Sequence, residues 1–425
     1  MSSRRTFLKT SVATVATSTL AAAAPVAKVI GGDDTLKIGL VGCGGRGRGA
    51  AADAMQADPK TKIVAVCDVF PDVVQPAAAE LSKRWKDRAD IGTRIYDGFD
   101  GYKKLIDEGG CDVVLLVTPP GFRPAQLDYA VKAGKHVFAE KPLAVDAAGV
   151  RSVIESAKLA KEKNLMCASG FCFRHDSRKM ETVKRIKEGA IGDVVTMHVS
   201  YNTGLLWHRG DKPTWTPMEK QVRNWYYYTW LSGDHLVEQH CHNIDKAAWV
   251  MGEYPIAATA LGGRQMRTDP KWGNIWDHFA IVYEFSGGRK VFSQCRQMSN
   301  CHGDVSDHVF GTKGQAYLNG TPETEHTMTF ADGKSWKYEG PYRDMYVQEH
   351  MDFYQALRAG KPFNDMEDAG KSTLMAIMGR QAAYTGKRIT WKQMLDSKES
   401  LVPTELAWGE HPVPPVAVPG VTKFV

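Results

Sequence analysis

Apolar and polar positions alternate in blocks along the first part of the chain. The apolar runs Leu36–Val41, Lys62–Cys67, Cys111–Val117 and His136–Ala139 are separated by stretches of helical character, among them Ala50–Met55 and Arg123–Ala133. Strand, helix, strand in that order predicts βαβ units. Parallel strands are buried on both faces, which is why they read as near-continuous apolar runs. Further on the pattern changes. Trp276–Phe285 reads as a sheet strand, and Met345–Ala359 and Glu367–Gly386 read as helices closed by Gly360 and Gly386, good C-cap residues. After Ser400 the chain carries Pro403, Pro412, Pro414, Pro415 and Pro419 without periodicity, which predicts a tail lying along a surface or a partner subunit.

The turn after the first strand carries the first chemistry. Gly42-Cys43-Gly44-Gly45-Arg46-Gly47 is a GxGxxG run between a strand and a helix. The first glycine suits the tight turn, the second lets a pyrophosphate approach the backbone, and the third lets helix pack on strand. The second strand ends in Asp68, about twenty residues after the last glycine, where an acid holds the ribose hydroxyls of a dinucleotide. An acid there would repel a 2′-phosphate, so NAD is expected over NADP. Arg46 and Arg48 are near enough to soften that preference, and NADP stays open.

The amino terminus belongs to a different problem. Ser3-Arg4-Arg5-Thr6-Phe7-Leu8-Lys9 precedes a short apolar run, Val12–Ala24, rich in small residues. This order reads as a twin-arginine export signal over residues 1–27, too short to span a bilayer. The expected location is periplasmic, reached through the twin-arginine machinery, which carries folded proteins. A nicotinamide enzyme there finds no free dinucleotide pool, so its cofactor is expected to be tightly bound. No later stretch predicts stable membrane insertion. Removing Arg4, Arg5 and Lys9 takes the formal charge from +6 to +3, with no basic stripe to suggest nucleic acid. The eight cysteines form no CxxC pair. Free thiols are expected, with Cys295 and Cys301 the one pair to inspect.

Two strand ends complete the first unit. Thr118-Pro119-Pro120 closes one run, and His136–Ala139 ends in Glu140-Lys141-Pro142. A lysine at the carboxyl end of a buried parallel strand stands in the crevice where such sheets bind ligands. The GxGxxG loop, the Thr-Pro-Pro turn and the Glu-Lys-Pro strand end resemble the Gfo/Idh/MocA oxidoreductases. Ser169-Gly170-Phe171-Cys172-Phe173-Arg174 is similar to that family's strand and arginine opening a second domain, and Glu188–Asp193 to its helix-to-strand turn. The resemblance covers nearly the whole chain after the signal. It implies an α/β protein: an N-terminal Rossmann doubly wound parallel sheet, then a C-terminal α+β domain with a large open, mostly antiparallel sheet. The expected boundaries are 34–155 for the dinucleotide-binding domain, 156–400 for the substrate-binding and oligomerisation domain, whose last helices pack back on the first, and 401–425 for the tail. A homo-oligomer, dimer or tetramer, is implied as well. Phosphate-loop residues Gly42, Gly44, Gly45, Arg46 and Gly47, with Asp68, Thr118, Pro119, Glu140 and Lys141, are the expected cofactor contacts.

The second motif is Gly233-Asp234-His235-Leu236-Val237-Glu238-Gln239-His240-Cys241-His242-Asn243-Ile244-Asp245. On one helix Glu238, His242 and Asp245 would share a face. They match the family's acid, catalytic histidine and following aspartate. Glu238 stands where aspartate is commoner and His240 where a small residue is, and Gly121-Phe122-Arg123 replaces a common histidine. Oxidising a secondary alcohol needs a base for its proton while hydride leaves carbon, and a histidine suits that task. His242 is the expected base, Lys141 the cation that stabilises the developing alkoxide, and Glu238 the group that orients an imidazole or binds a neighbouring hydroxyl. Arg174, Tyr228, Trp230 and Asp245 are expected at the substrate, the two rings because Asn224–Trp230 is unusually aromatic and sugars present CH faces to such rings.

The expected substrate is a sugar, glycoside or cyclic polyol, oxidised at a secondary or anomeric hydroxyl. An oxidise–eliminate–reduce glycosidase is the alternative. A hydrolase metal site at His240 and His242 with Glu238 is disfavoured because the two histidines, two apart on a helix, diverge by about 200°, and no metal is expected. A non-catalytic dinucleotide-binding scaffold is the remaining class.

Overall fold

The computed structural model describes residue 31 and residues 34–319 and 326–425. The twin-arginine stretch lies outside the described residues. Six parallel strands, β1 (Leu36–Val41), β2 (Thr61–Asp68), β3 (Ile95–Asp97), β4 (Val113–Leu116), β5 (His136–Ala139) and β6 (Cys167–Ser169), form a sheet in the order β3-β2-β1-β4-β5-β6. The order reverses between β1 and β4, and the crevice above that point is where open α/β sheets bind ligands. β1, β4 and β5 are almost entirely buried, as their apolar runs require. β6 belongs to this sheet, so the first domain runs past residue 155, and Ser169 closes it rather than opening the second.

Nine strands build the second sheet: β7 (Val194–Thr203), β8 (Ala257–Gly263), β9 (His278–Glu284), β10 (Lys290–Gln297), β11 (Asp304–Gly311), β12 (Gly314–Asn319), β13 (Thr327–Phe330), β14 (Ser335–Lys337) and β15 (Ile389–Thr390). All neighbours run antiparallel except β7 and β10. Alternation along β9 and β10 sends Phe279, Ile281, Tyr283, Val291 and Cys295 to a buried face; the helix Met366–Thr385 packs on β8 and β9, and the helix Cys241–Met251 on β7. The opposite face carries a row in register, Thr259, Val282, Phe292, His198, His308 and Tyr317, with Phe292 and Phe310 exposed.

The last helices join the halves. Met345–Arg358 packs on the helix Gly45–Ala57, and Met366–Thr385, buried along nearly its whole length, packs on Ala147–Glu162 of the first half and on β8 and β9. The tail has neither strand nor helix and lies on its own chain. Trp408 stacks on Phe70 and Phe99, Gln221 donates to the His411 carbonyl, and the Trp276 indole donates to the Ala417 carbonyl. Cys295 is buried and Cys301 exposed, and both are free thiols.

Candidate active site

The phosphate loop is shaped by what its glycines lack. Gly42 has φ +95°, and a Cβ there would lie 2.7 Å from the Val117 carbonyl. A Cβ on Gly47 would fall 1.8 Å from the Gly42 oxygen, whereas at Gly44 and Gly45 it would meet nothing within 4 Å. The first and third glycines therefore make the turn, and the middle pair leaves a cradle open. The helix Gly45–Ala57 starts with no side-chain cap and no acid in its first turn. Its first N–H groups, unpaired within the helix, lie at the open edge left by Gly44 and Gly45, and this donor set fits a dinucleotide pyrophosphate.

Asp68 accepts from the Cys43 N–H at 2.8 Å and the Phe70 N–H at 3.1 Å. Burial raises its carboxyl above the ordinary range against the pull of those N–H groups. The two arginines thought able to soften the NAD preference are occupied elsewhere. Arg46 bonds Glu140 at 2.6 Å, lies near Asp53 and Glu349, and stacks over Tyr346, while Arg48 pairs with Glu80 at 2.5 Å. Neither arginine is paired with Asp68.

Across the crevice, Arg123 ties the two strand ends together. Its buried guanidinium donates to the Thr118 and Pro142 carbonyls, and burial lowers its pKa to about 10. Thr118 Oγ1 donates to Gln126 at 2.6 Å, and Pro119 accepts from the Phe122 N–H. Glu140 is buried, its N–H bonded to the Leu116 carbonyl.

Lys141 reaches from this strand end to the second motif. Its Nζ donates to the Glu238 carbonyl at 2.5 Å and lies 3.4 Å from Glu238 Oε1. Burial alone would lower its pKa, but Glu238 overrides burial and holds the ammonium charged. His242 packs between Phe171 and Phe173 at ring-centroid distances of 6.1 and 4.8 Å, with a buried Nδ1 that has no partner. Burial, followed by the charge of Lys141, pushes its pKa well below the ordinary value, so the imidazole is neutral.

The structure brings Lys141, Glu238 and His242 into one electrostatic neighbourhood but corrects their expected scaffold. Glu238 ends the short helix His235–Glu238, and His242 lies in a second helix, Cys241–Met251, after a break at Gln239–His240. One continuous helix therefore does not carry both. His240 turns to the second sheet and bonds Ser293 at 2.7 Å.

Three further expectations are corrected by packing. Asp245 is buried and takes two 2.8 Å bonds from Arg174 and one of 2.7 Å from Ser372. Arg174 and Asp245 thus brace the first sheet's exit against two helices and neutralise each other, so Asp245 is not free to bind substrate. Tyr228 and Trp230 are buried in an aromatic core with Phe122, Tyr226 and Tyr227, and the Trp230 indole donates to Gln221. Rings so enclosed offer no face to a sugar.

Sequence reading missed Arg123, Tyr201 and Glu349. Tyr201 shares the Met197–Val199 face of β7 and interacts with Lys141 and Glu238; burial pushes its hydroxyl up to about 12. Period-two counting along β7 would have put it on the inner face. Glu349 comes from the Met345–Arg358 helix, and burial followed by the nearby Glu140 pushes its carboxyl well up. No local signal in the sequence points to that contact. Among the described residues no group of three His, Cys, Asp or Glu side chains could hold a metal ion.

A Rossmann sheet with an open phosphate cradle, joined to a second sheet whose helices deliver an acid and a histidine to a strand-end lysine, defines a two-domain nicotinamide-dependent oxidoreductase. Residues 36–171 match the oxidoreductase family with an NAD-binding Rossmann fold, and residues 180–317 match the GFO/IDH/MocA C-terminal domain. The chain belongs to the Gfo/Idh/MocA family. It is 24% identical over 361 residues to inositol 2-dehydrogenase of Rhizobium meliloti, spanning 82% of this chain and 96% of that one. Its fold is shared with aldose-aldose oxidoreductase from Caulobacter crescentus, solved with glycerol (TM-score 0.67, 19% identity, 84% of this chain and 99% of that one). It is shared equally with levoglucosan dehydrogenase, solved with NADH and levoglucosan (TM-score 0.66, 19% identity, 84% and 99%).

Proposed function

We propose that this chain oxidises a secondary or anomeric hydroxyl of a sugar, glycoside or cyclic polyol at the crevice between Lys141, Glu238 and His242. The observation that carries this is the double hold of Glu238 on the Lys141 ammonium, which fixes a permanent cation above the carboxyl edge of the first sheet. NAD, when bound in the cradle, supplies the hydride acceptor. Lys141 donates a hydrogen bond to the substrate oxygen and stabilises it as charge develops. His242, neutral beforehand, takes the hydroxyl proton at a ring nitrogen. The ammonium opposes the imidazolium that results, and the carboxylate of Glu238 offsets part of that repulsion. The polyol and sugar names of the relatives support the substrate class. A panel of sugars, glycosides and polyols, followed by absorbance at 340 nm and by mass spectrometry, tests it. Reduction on one compound supports dehydrogenation. Aglycone release without net reduction indicates the oxidise–eliminate–reduce cycle, and response only to simple hydroxy acids or amino acids defeats the proposal.

Residues 1–27 are proposed to export the folded, NAD-loaded protein. Replacing Arg4 and Arg5 by lysine should leave it in the cytoplasm, and unchanged fractionation would refute the assignment. Retention of the dinucleotide is supported by the tail, whose Trp408 packs on Phe70, two residues beyond Asp68. The outer face of the nine-stranded sheet, with Phe292, Phe310 and Leu261 exposed, is proposed to meet a second copy of the chain. A Phe292→Glu variant that sediments like wild type would contradict this.

A further inference from the structure

Just upstream of the site, one residue holds a backbone shape that its side chain opposes. Asp234 has φ 77° and ψ 161°, a region essentially reserved for glycine. A non-glycine residue persists there only when its surroundings over-determine it. Those of Asp234 do. Oδ1 accepts from the His235 N–H at 2.6 Å and from His235 Nδ1 at 2.9 Å, while Oδ2 accepts from the Trp276 N–H at 2.8 Å and from the Tyr384 hydroxyl. Its own N–H donates to Ser232 Oγ at 3.0 Å, and the residue is fully buried. These partners come from the following residue, from the approach to β9 and from the long Met366–Thr385 helix.

The short helix hangs from this anchor. The Asp234 carbonyl accepts from the N–H groups of Val237 and Glu238, at 3.0 and 2.9 Å. Glu238 in turn gives its own carbonyl and its carboxylate to Lys141. We propose that Asp234 is a positioning residue for Lys141, transmitting the placement of the second sheet and the long helix to the ammonium through one helical turn. The inference rests on the reading of Lys141 given above. His235 Nε2 also lies 3.5 Å from Cys295 Sγ, the order of a thiol triad. All three residues are buried, and burial pushes the thiol up and the imidazole down. That line is a brace and not a nucleophile.

The test compares NAD-loaded Asp234→Asn and Asp234→Gly with wild type, alone and in a Lys141→Ala background. Asp234→Gly relieves the backbone while removing the anchor. Both variants should keep NAD content and KM within about twofold and lose kcat by about tenfold or more. In the Lys141→Ala background the residual rate should not change, because the group being positioned is gone. Wild-type kcat with only a lower melting temperature would overturn the proposal, as would an equal loss in the Lys141→Ala background. Lys141→Ala with wild-type turnover would instead defeat the reading of Lys141. Tyr384→Phe removes a single bond to the anchor and should lower kcat in the same direction, so an unaltered kcat there counts against the proposal even if the Asp234 variants fail to fold.

Discussion

The phosphate loop and the histidine segment are both short, both glycine-started and both essential to the proposed reaction, yet they are held in opposite ways. In Gly42–Gly47 the backbone itself is the device. Its shape follows from where a Cβ cannot go, and the nearest obstacles, the Val117 and Gly42 carbonyls, are main-chain atoms of the same sheet and turn. In Gly233–Asp245 the backbone is broken and carries a non-glycine residue in a glycine region, held by the adjoining His235 and by Trp276 and Tyr384 from distant parts of the chain. A cradle for a common cofactor is built locally. A site for a particular substrate is built from tertiary contacts, where it can be changed without disturbing the cradle.

Substitutions should separate the two regions cleanly. The largest effect is expected from Lys141→Ala and His242→Ala, each lowering kcat by about 10³-fold while released dinucleotide stays near one per chain. Near-wild-type turnover in His242→Ala would remove it as the base. Next comes Gly47→Ala, whose methyl has no room beside the Gly42 oxygen. Denaturing the purified variant should release little or no NAD, and full occupancy would show that the loop adapts.

Local and tertiary features divide along the same line in what the sequence reveals. The apolar runs gave the parallel strands, and the glycine spacing with Asp68 gave the cradle, because both rest on local geometry. Lys141 was visible as a charge ending a buried strand. The pairing of Glu238 with Lys141 was not, nor was the break at Gln239–His240, since a helical wheel assumes a continuous helix. Tyr228 and Trp230 looked like sugar platforms because aromatic composition says nothing about which face of a segment is enclosed. Arg174 and Asp245 satisfy one another, and only the fold shows that. Glu349 and Arg123 act across sequence gaps that no motif spans.

The smallest effect concerns the packed histidines at the joint between the halves. His350 lies against Phe138 at 4.1 Å, and its pKa is pushed down to about 3, first by burial and then by Arg46. The unfolded residue titrates near 6.5, so below that pH the unfolded chain binds a proton that the folded chain refuses. Stability is therefore lost as pH falls through about 6.5, by about 2 kcal/mol at pH 5 for one such residue. Asp365, pushed up to about 6 by burial, has the opposite sign: its contribution is present at low pH and is lost as pH rises through 6. Urea midpoints at pH 7.5 and 5 should show a shallower acid loss in His350→Phe than in wild type, and identical slopes would mean that His350 titrates when folded.

In the proposed reaction Lys141 and His242 work on a carbohydrate hydroxyl while the cradle holds the hydride acceptor. The most direct test is to incubate NAD-loaded wild type and Lys141→Ala with the responding sugar or polyol bearing deuterium at every carbon, then release the cofactor and weigh it. One deuterium is expected on the wild-type cofactor, and a full complement of unlabelled NAD on Lys141→Ala. Label appearing equally fast in Lys141→Ala, or never appearing in wild type while the substrate is consumed, would contradict this.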